Sequence, residues 1–415
     1  MMVKNSNMNS KIPYLEEIEE KLLHIGQPFL NILSVTGFHS VVAKTGSQTG
    51  LKYLSFSRPW AILNLALLIM GEIFYTIFVH PIVKARHNFG NTENFAYTLV
   101  SFCTIISFFA LRTLAVFKYK ENAQLWTENV RSLVDFSQVG PQFDLSSEQL
   151  NPFFEIIRHE IRLNLIVGLF YFIYCMSIAI TSIYKSLFKD LQDFSWLIDT
   201  LNYTQTLFWN IHFSLYFLFG LFLGFYLKIS IMCLRVIRLE IERIVILQNR
   251  VQLLLNKDIQ LGPKTIFKQQ LNTEQSIERL EQCLKAYFIT EELVTKFSRH
   301  FDLELFITFV SSFFIIFARA FFVLYYIFKS SPTDALYTSG KIVVYAWQIY
   351  HVATLCSQLD QEVKGILYFL HRIDVKGLPI YLHAKIDMLA VRLSADPLAI
   401  SPRQCFKLDR KLMIT

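Results

Sequence analysis

Apolar residues in this chain are gathered into long stretches that are separated by polar segments. Six of these stretches contain about 20 residues with few charges, which is the length and polarity of a helix that crosses a lipid bilayer. They are Trp60–His80, Phe95–Phe117, Leu163–Tyr184, Thr206–Leu227, Leu305–Phe328 and Ser339–Ser357. The pattern therefore predicts an all-α fold, a multi-pass transmembrane helical bundle with six spans.

These stretches divide the chain into five regions. They are an N-terminal segment (1–59), spans one to four (60–234), a charged segment (235–304), spans five and six (305–357) and a C-terminal segment (358–415). In the charged segment, apolar residues recur at helical spacing before and after Gly262 and Pro263, so two helices are predicted there. Their apolar faces can be buried within one subunit or between subunits, and the sequence leaves both arrangements open.

The positions of positive charge predict the orientation of the bundle. The segments that carry most of the 40 Lys and Arg residues are 1–59, 118–162, 235–304 and 358–415. Because Lys and Arg concentrate in cytosolic loops, these segments and the N-terminus are predicted to be cytosolic. The one Asn-x-Ser/Thr sequence, at Asn202, then lies in an outside loop, where it is a candidate for glycosylation.

The composition agrees with a membrane protein. Hydrophobic residues make up 53% of the chain and charged residues 18%, against about 25% charged residues in soluble domains. The lipid bilayer is thus the predicted surrounding, and the net charge of +7 reflects topology and not nucleic-acid binding. His-Glu-x-x-His, Gly-x-Ser-x-Gly, phosphate-loop and Cys-x-x-Cys motifs do not occur in the sequence. The protein is therefore predicted not to be an enzyme and to need no metal or cofactor.

Polar and aromatic residues collect in the outer halves of spans three to six. Such a mixture suits a cavity that stacks on a small organic molecule and hydrogen-bonds to it, although aromatic side chains also pack helices together and line the membrane interface. The candidate ligand-binding residues are Tyr174, Trp209, His212, Tyr216, Phe322, Tyr325, Tyr345 and Gln348.

Four charged residues lie in or beside the spans. Glu72 in span one and Arg319 in span five lie at matching distances from the outer ends of their spans. Because a lone charge inside a bilayer is costly, we predict an intramembrane ion pair between them. Arg112 and Lys228 lie near the cytosolic ends of their spans, and their long side chains are predicted to extend to the membrane interface.

The C-terminal sequence FKLDRKL, residues 406–412, carries a family resemblance. Together with the predicted spans, the cytosolic N-terminus and the helices before span five, it resembles the insect gustatory receptor family, a relative of the insect odorant receptors. In that family a phenylalanine, a leucine–aspartate pair and a later leucine lead into the last helix. The matching residues here are Phe406, Leu408, Asp409 and Leu412.

The resemblance implies a seven-span subunit of inverted topology in a tetrameric, ligand-gated cation channel that senses tastants. It implies a tastant pocket in the outer half of the bundle, other gustatory receptor subunits as partners, and the plasma membrane of sensory neurons as the location. The pore-lining signature of the family's final helix is not found in the sequence. The expectation is therefore a chain without the last span.

Two other functions stay open from the residues. One is a membrane transporter, although the sequence contains no inverted repeat or broken pair of helices of the kind common in transporters. The other is a non-conducting subunit that assembles with a full-length partner through residues 235–304.

Overall fold

Long helices make up almost all of the described part of the computed structural model. The structure describes residues 18, 20–22, 41–45, 52–56, 58–74, 91–143, 151–187, 195–255, 263–375 and 378–408. The helices are α1 (Arg58–Phe74), α2 (Asn91–Phe117), α3 (Tyr119–Ser137), α4 (Asn151–Leu187), α5 (Ser195–Leu255), α6 (Pro263–His300), α7 (Asp302–Phe328), α8 (Pro332–Leu370) and α9 (Ile380–Ala395). Short 3-10 turns follow α3 and α9, at Pro141–Phe143 and Pro402–Gln404.

Spans two to six each lie within one of these helices. Span one begins in α1, but its residues 75–80 lie outside the described residues. Helix α5 continues well past span four, to Leu255, as the helical spacing of apolar residues predicts. Among the described residues, the segments long and apolar enough to cross a membrane by composition alone are Thr98–Phe117 and Asp302–Phe328.

A two-stranded antiparallel ribbon departs from the all-α prediction. Strand β1 (Val41–Thr45) pairs with β2 (Lys52–Phe56), with Val41 opposite Phe56 and Thr45 opposite Lys52. Strand β2 lies beside α3. Each strand has five residues, and β2 contains Tyr53, Leu54 and Phe56, residue types that are common in short strands. The predicted spans are apolar stretches of about 20 residues, and strands of five residues are too short to be found in that way.

Helices α5 and α8 form the centre of the bundle. Helix α5 packs against α4, α6 and α8, while α8 also packs against α7, which in turn packs against α2. Side chains along α5, among them Phe222, Leu234 and Ile237, are completely buried. Polar residues that occur on these central helices therefore have to find their partners inside the bundle.

Large apolar side chains point away from the bundle on the outer helices. Leu67 of α1, Phe102 of α2, Phe170 of α4 and Phe317 of α7 each expose half or more of their surface. Soluble proteins rarely expose apolar surface of this extent, whereas helices in contact with lipid do so routinely.

Candidate functional site

Five of the eight candidate ligand-binding residues have described side chains. Phe322 and Tyr325 of α7 surround Tyr326, with ring centroids 6.2 Å and 5.5 Å away respectively. The Lys329 ammonium group lies 4.6 Å from the centre of the Tyr325 ring. This end of α7 therefore presents a cluster of aromatic rings beside a cation. The backbone of Trp209, His212 and Tyr216 belongs to α5, but their side chains lie outside the described residues.

The other described candidates fill contacts between helices. Tyr345 and Gln348 of α8 are almost fully buried. A Cβ atom built on Gly220 of α5 would lie 2.7 Å from the amide nitrogen of Gln348, and one built on Gly340 of α8 would lie 3.1 Å from the Tyr174 ring. Glycine thus allows the Gln348 and Tyr174 side chains to approach the neighbouring backbone. These residues bring α4, α5 and α8 into close contact.

Lys341 belongs to the same region and was not among the sequence candidates. The sequence places it at the outer end of span six, yet its exposed fraction is only 8%. Its ammonium group lies 4.1 Å from the centre of the Tyr337 ring, one helical turn away. The signal in the sequence is the spacing of Tyr337, Lys341 and Tyr345, which puts them on one face of α8.

The predicted ion pair between Glu72 and Arg319 stays a prediction. The Glu72 side chain lies outside the described residues. Helix α1 packs against α2, and α2 packs against the α7 helix that carries Arg319. Within the described part of the chain, the buried Nε atom of Arg319 makes no hydrogen bond.

The prediction that the side chain extends to the membrane interface is wrong for Arg112 and stays a prediction for Lys228. Arg112 is only 2% exposed, because α7 packs against the helix that carries it. The Lys228 ammonium group lies 2.5 Å from the Glu160 carboxylate of α4. Arg112 therefore lies inside the bundle, and Lys228 has a carboxylate partner on α4. Depth along one helix reveals neither feature.

Glu160 and Lys228 belong to a polar cluster where three helices meet. His351 of α8 interacts electrostatically with both charges. Gly224 of α5 gives this histidine room, since a Cβ atom there would lie 2.9 Å from its Nε2 atom. Gly220 and Gly224 thus form a Gly-x-x-x-Gly notch, which is a common means of close helix packing in membranes. The cluster connects α4, α5 and α8.

A second polar cluster lies where α2 meets α3 and α6 meets α7. The Lys118 ammonium group lies 2.9 Å from the Glu304 carboxylate and donates to the His300 carbonyl oxygen at 2.6 Å. His300 Nε2 lies 2.5 Å from the Asn122 side-chain oxygen. Burial, and then the charge of Lys118, lowers the pKa of His300 to about 4. The imidazole is therefore neutral near pH 7 and donates Nε2–H to Asn122.

The family-motif residues that the structure describes pack against α7. The Phe406 ring centroid lies 6.3 Å from those of both Phe306 and Phe309. Leu408 is 1% exposed, and its amide donates to the Ile400 carbonyl oxygen at 3.0 Å. The other motif residues, Asp409 and Leu412, lie outside the described residues.

Two further candidates concern modification and metals. The side chain of Asn202, the glycosylation candidate, also lies outside the described residues. In the part of the chain that the structure describes, no three His, Cys, Asp or Glu side chains are grouped as a metal site would require.

Long helices with outward apolar faces and buried charge clusters define a multi-pass membrane protein. The sequence matches the model of the 7tm chemosensory receptor family over residues 27–415. The chain belongs to this family, which is one of membrane receptors and not of enzymes. No curated protein matches the sequence. The predicted family resemblance is confirmed at the level of the chemosensory receptors.

Solved structures agree with this fold. The insect olfactory receptor OR5 from Machilis hrabei in complex with eugenol is similar with a TM-score of 0.63 and 9% sequence identity, over 96% of this chain and 95% of that chain. A second structure of the same receptor has a TM-score of 0.58 and 10% identity over the same shares. The predicted transmembrane helical bundle is thereby confirmed.

Proposed function

We propose that this protein is a gustatory receptor subunit, part of a tetrameric, tastant-gated, non-selective cation channel. Its N-terminus lies in the cytosol, and the channel lies in the plasma membrane of sensory neurons. The observation that carries the proposal is the match of residues 27–415 to the chemosensory receptor family. The fold shared with a receptor that was solved with eugenol supports a small organic ligand.

The tastant pocket lies among the outer halves of spans three to six. The aromatic cluster of Phe322, Tyr325 and Tyr326 offers ring faces for stacking. Gln348 offers an amide at the contact between α5 and α8. A molecule that binds here favours the arrangement of these helices to which it binds more tightly, and this difference in affinity opens the channel.

Removal of the Tyr325 ring tests the pocket. In cells that express the wild-type chain, a panel of sugars, alkaloids and phenols including eugenol is applied while inward cation current is recorded at a fixed negative voltage. For a compound that evokes current, Tyr325→Ala is expected to raise the half-maximal concentration about tenfold, because one stacking contact is lost. Tyr184→Ala, at an exposed ring of α4, is the control. Equal half-maximal concentrations in both variants would contradict the pocket.

The same recordings separate the alternatives. Uptake of a labelled compound without current would favour a membrane transporter. Current that needs co-expression of another gustatory receptor subunit would favour a non-conducting partner. Current from this chain alone would exclude that second alternative.

The assembly part of the proposal rests on an exposed apolar face of α9. Ile380, Met388 and Val391 expose 87%, 56% and 68% of their surface. With the exposed Ala384 they follow one side of the helix, which Asp387 borders. The opposite face, which includes Leu382 and Ile386, is buried against the bundle. We assign the exposed face to contact with another subunit.

A charge on this face is expected to break the assembly. Val391→Glu places a carboxylate in the contact, where burial of an unpaired charge is unfavourable. Photobleaching of fluorescently tagged single receptors should then show fewer subunits than the four expected for the wild type. Lys285→Glu adds a carboxylate at an exposed position of α6 and should leave the subunit number unchanged. A four-subunit Val391→Glu receptor would refute this contact.

A further inference from the structure

The segment that follows α9 is attached to both α7 and α8. After α9 ends at Ala395, the chain continues to the 3-10 turn at Pro402–Gln404, which packs against α7. We call residues 398–408 the C-terminal strap. The strap is attached to a carboxylate on each of these two helices. Its apolar side chains are buried or pack against α7.

The first attachment is to Asp302, the first residue of α7. The backbone N–H of Arg403 donates to one Asp302 carboxylate oxygen at 2.6 Å. The Nε atom of the same arginine lies 3.3 Å from the other oxygen. Arg403 adopts a φ of 51°, a left-handed conformation that costs free energy in a residue other than glycine. The two contacts with Asp302 stabilise the turn in this conformation.

The second attachment is to Asp360 of α8. The Lys407 ammonium group lies 2.8 Å from one oxygen of this carboxylate, and Lys364, one turn further along α8, lies 2.6 Å from the other. Burial acts to raise the pKa of Asp360, but the hydrogen bonds from Lys364 and Lys407 outweigh it and hold the pKa below its ordinary value. Asp360 is thus ionised near neutral pH and shared between a residue of its own helix and a residue of the strap.

Apolar contacts join the two attachments. Phe406 lies between Arg403 and Lys407 in the chain and packs on two phenylalanines of α7. Ile400 and Leu408 are each no more than 2% exposed, and a backbone hydrogen bond joins them. Release of either attachment moves these side chains toward water, which costs hydrophobic free energy. Loss of one attachment therefore weakens the other.

We propose that the C-terminal strap docks on α7 and α8 as one cooperative unit, with Asp302 and Asp360 as its positioning residues. Because the docked strap is bound to both helices, its position depends on how α7 and α8 lie relative to each other. A change in the packing of α7 against α8 is then passed to the C-terminal strap.

Hydrogen–deuterium exchange on the purified full chain in lipid nanodiscs at pH 7 tests the proposal. Lys407→Met removes the attachment to α8 but keeps an apolar side chain. It is expected to speed exchange about fivefold at the Leu408 amide and also at the Arg403 amide, which is bonded to α7. Acceleration confined to Leu408, or no acceleration, would overturn cooperative docking.

Lys364→Met is the matched control, because it removes the other cation from the same carboxylate without touching the strap. Exchange at Arg403 and Leu408 should stay within twofold of wild type, and an acceleration equal to that of Lys407→Met would overturn the assignment. Arg403→Met provides the reverse test. It keeps the backbone donor and, like arginine, is not a glycine at the positive φ, yet it loses the guanidinium contact with Asp302 and should speed exchange at Leu408. An unchanged Leu408 rate would also overturn the proposal.

Discussion

Lys118→Met is expected to destabilise the protein by about 3 kcal/mol, because it leaves the Glu304 carboxylate buried without its cation. The Glu304 side chain is only 6% exposed, so water cannot replace the lost ammonium group. The substitution also removes the donor to the His300 carbonyl oxygen. The measurement is the midpoint of thermal unfolding of the chain in lipid nanodiscs, followed by tryptophan fluorescence.

Two further variants test whether the loss of stability comes from the unpaired charge on Glu304. Lys120→Met changes an exposed lysine two residues away and should leave the midpoint near that of wild type. Lys118→Met combined with Glu304→Gln should recover most of the lost stability, because a neutral amide costs less to bury than a lone carboxylate. If the double variant is as unstable as Lys118→Met alone, the loss does not come from the charge on Glu304.

Much of the helical fold follows from local patterns in the sequence. Spans two and five end at Phe117 and Phe328, the last residues of α2 and α7, since their apolar stretches stop where polar residues begin. The long continuation of α5 to Leu255 is likewise visible in the spacing of its apolar residues. These features depend on residues near one another in the chain, so a single sequence is enough to predict them.

Partners across the bundle could not be predicted in the same way. The position of Lys228 along span four gives its depth, and depth alone suggests a side chain that reaches the interface. Its actual partner, Glu160, lies on α4, and the two meet because both helices face each other at that level. Which sides of two helices meet depends on packing of the whole bundle, and no local pattern contains that information.

The candidate ligand residues illustrate the same limit. The depth and polarity of Gln348 made it a candidate ligand-binding residue. In the structure its side chain packs closely against Gly220 on another helix. The Gly-x-x-x-Gly spacing of Gly220 and Gly224 was present in the sequence and is a known signal of close helix contact. Combined with polar residues at similar depth in span six, it indicates that α5 and α8 cross closely there.

Gly220→Val is expected to destabilise the protein by about 2 kcal/mol, through overpacking at the crossing of α5 and α8. An added Cβ atom would lie 2.7 Å from the amide nitrogen of Gln348 and 2.9 Å from its Cγ atom. The Cγ atom is close to the α8 backbone, so a rotation of the amide group alone cannot relieve the overlap. The helices must separate, and the midpoint of thermal unfolding in nanodiscs should fall.

Shortening the opposing side chain is the decisive companion experiment. Gln348→Ala on its own leaves unfilled space and should destabilise the protein, whereas in the Gly220→Val background it makes room for the valine. The double variant is therefore expected to be more stable than Gly220→Val alone, so the two effects are not additive. Ala320→Val, at an exposed position of α7, controls for the valine itself. Additive losses at Gly220 and Gln348 would mean that the two residues do not meet at this crossing.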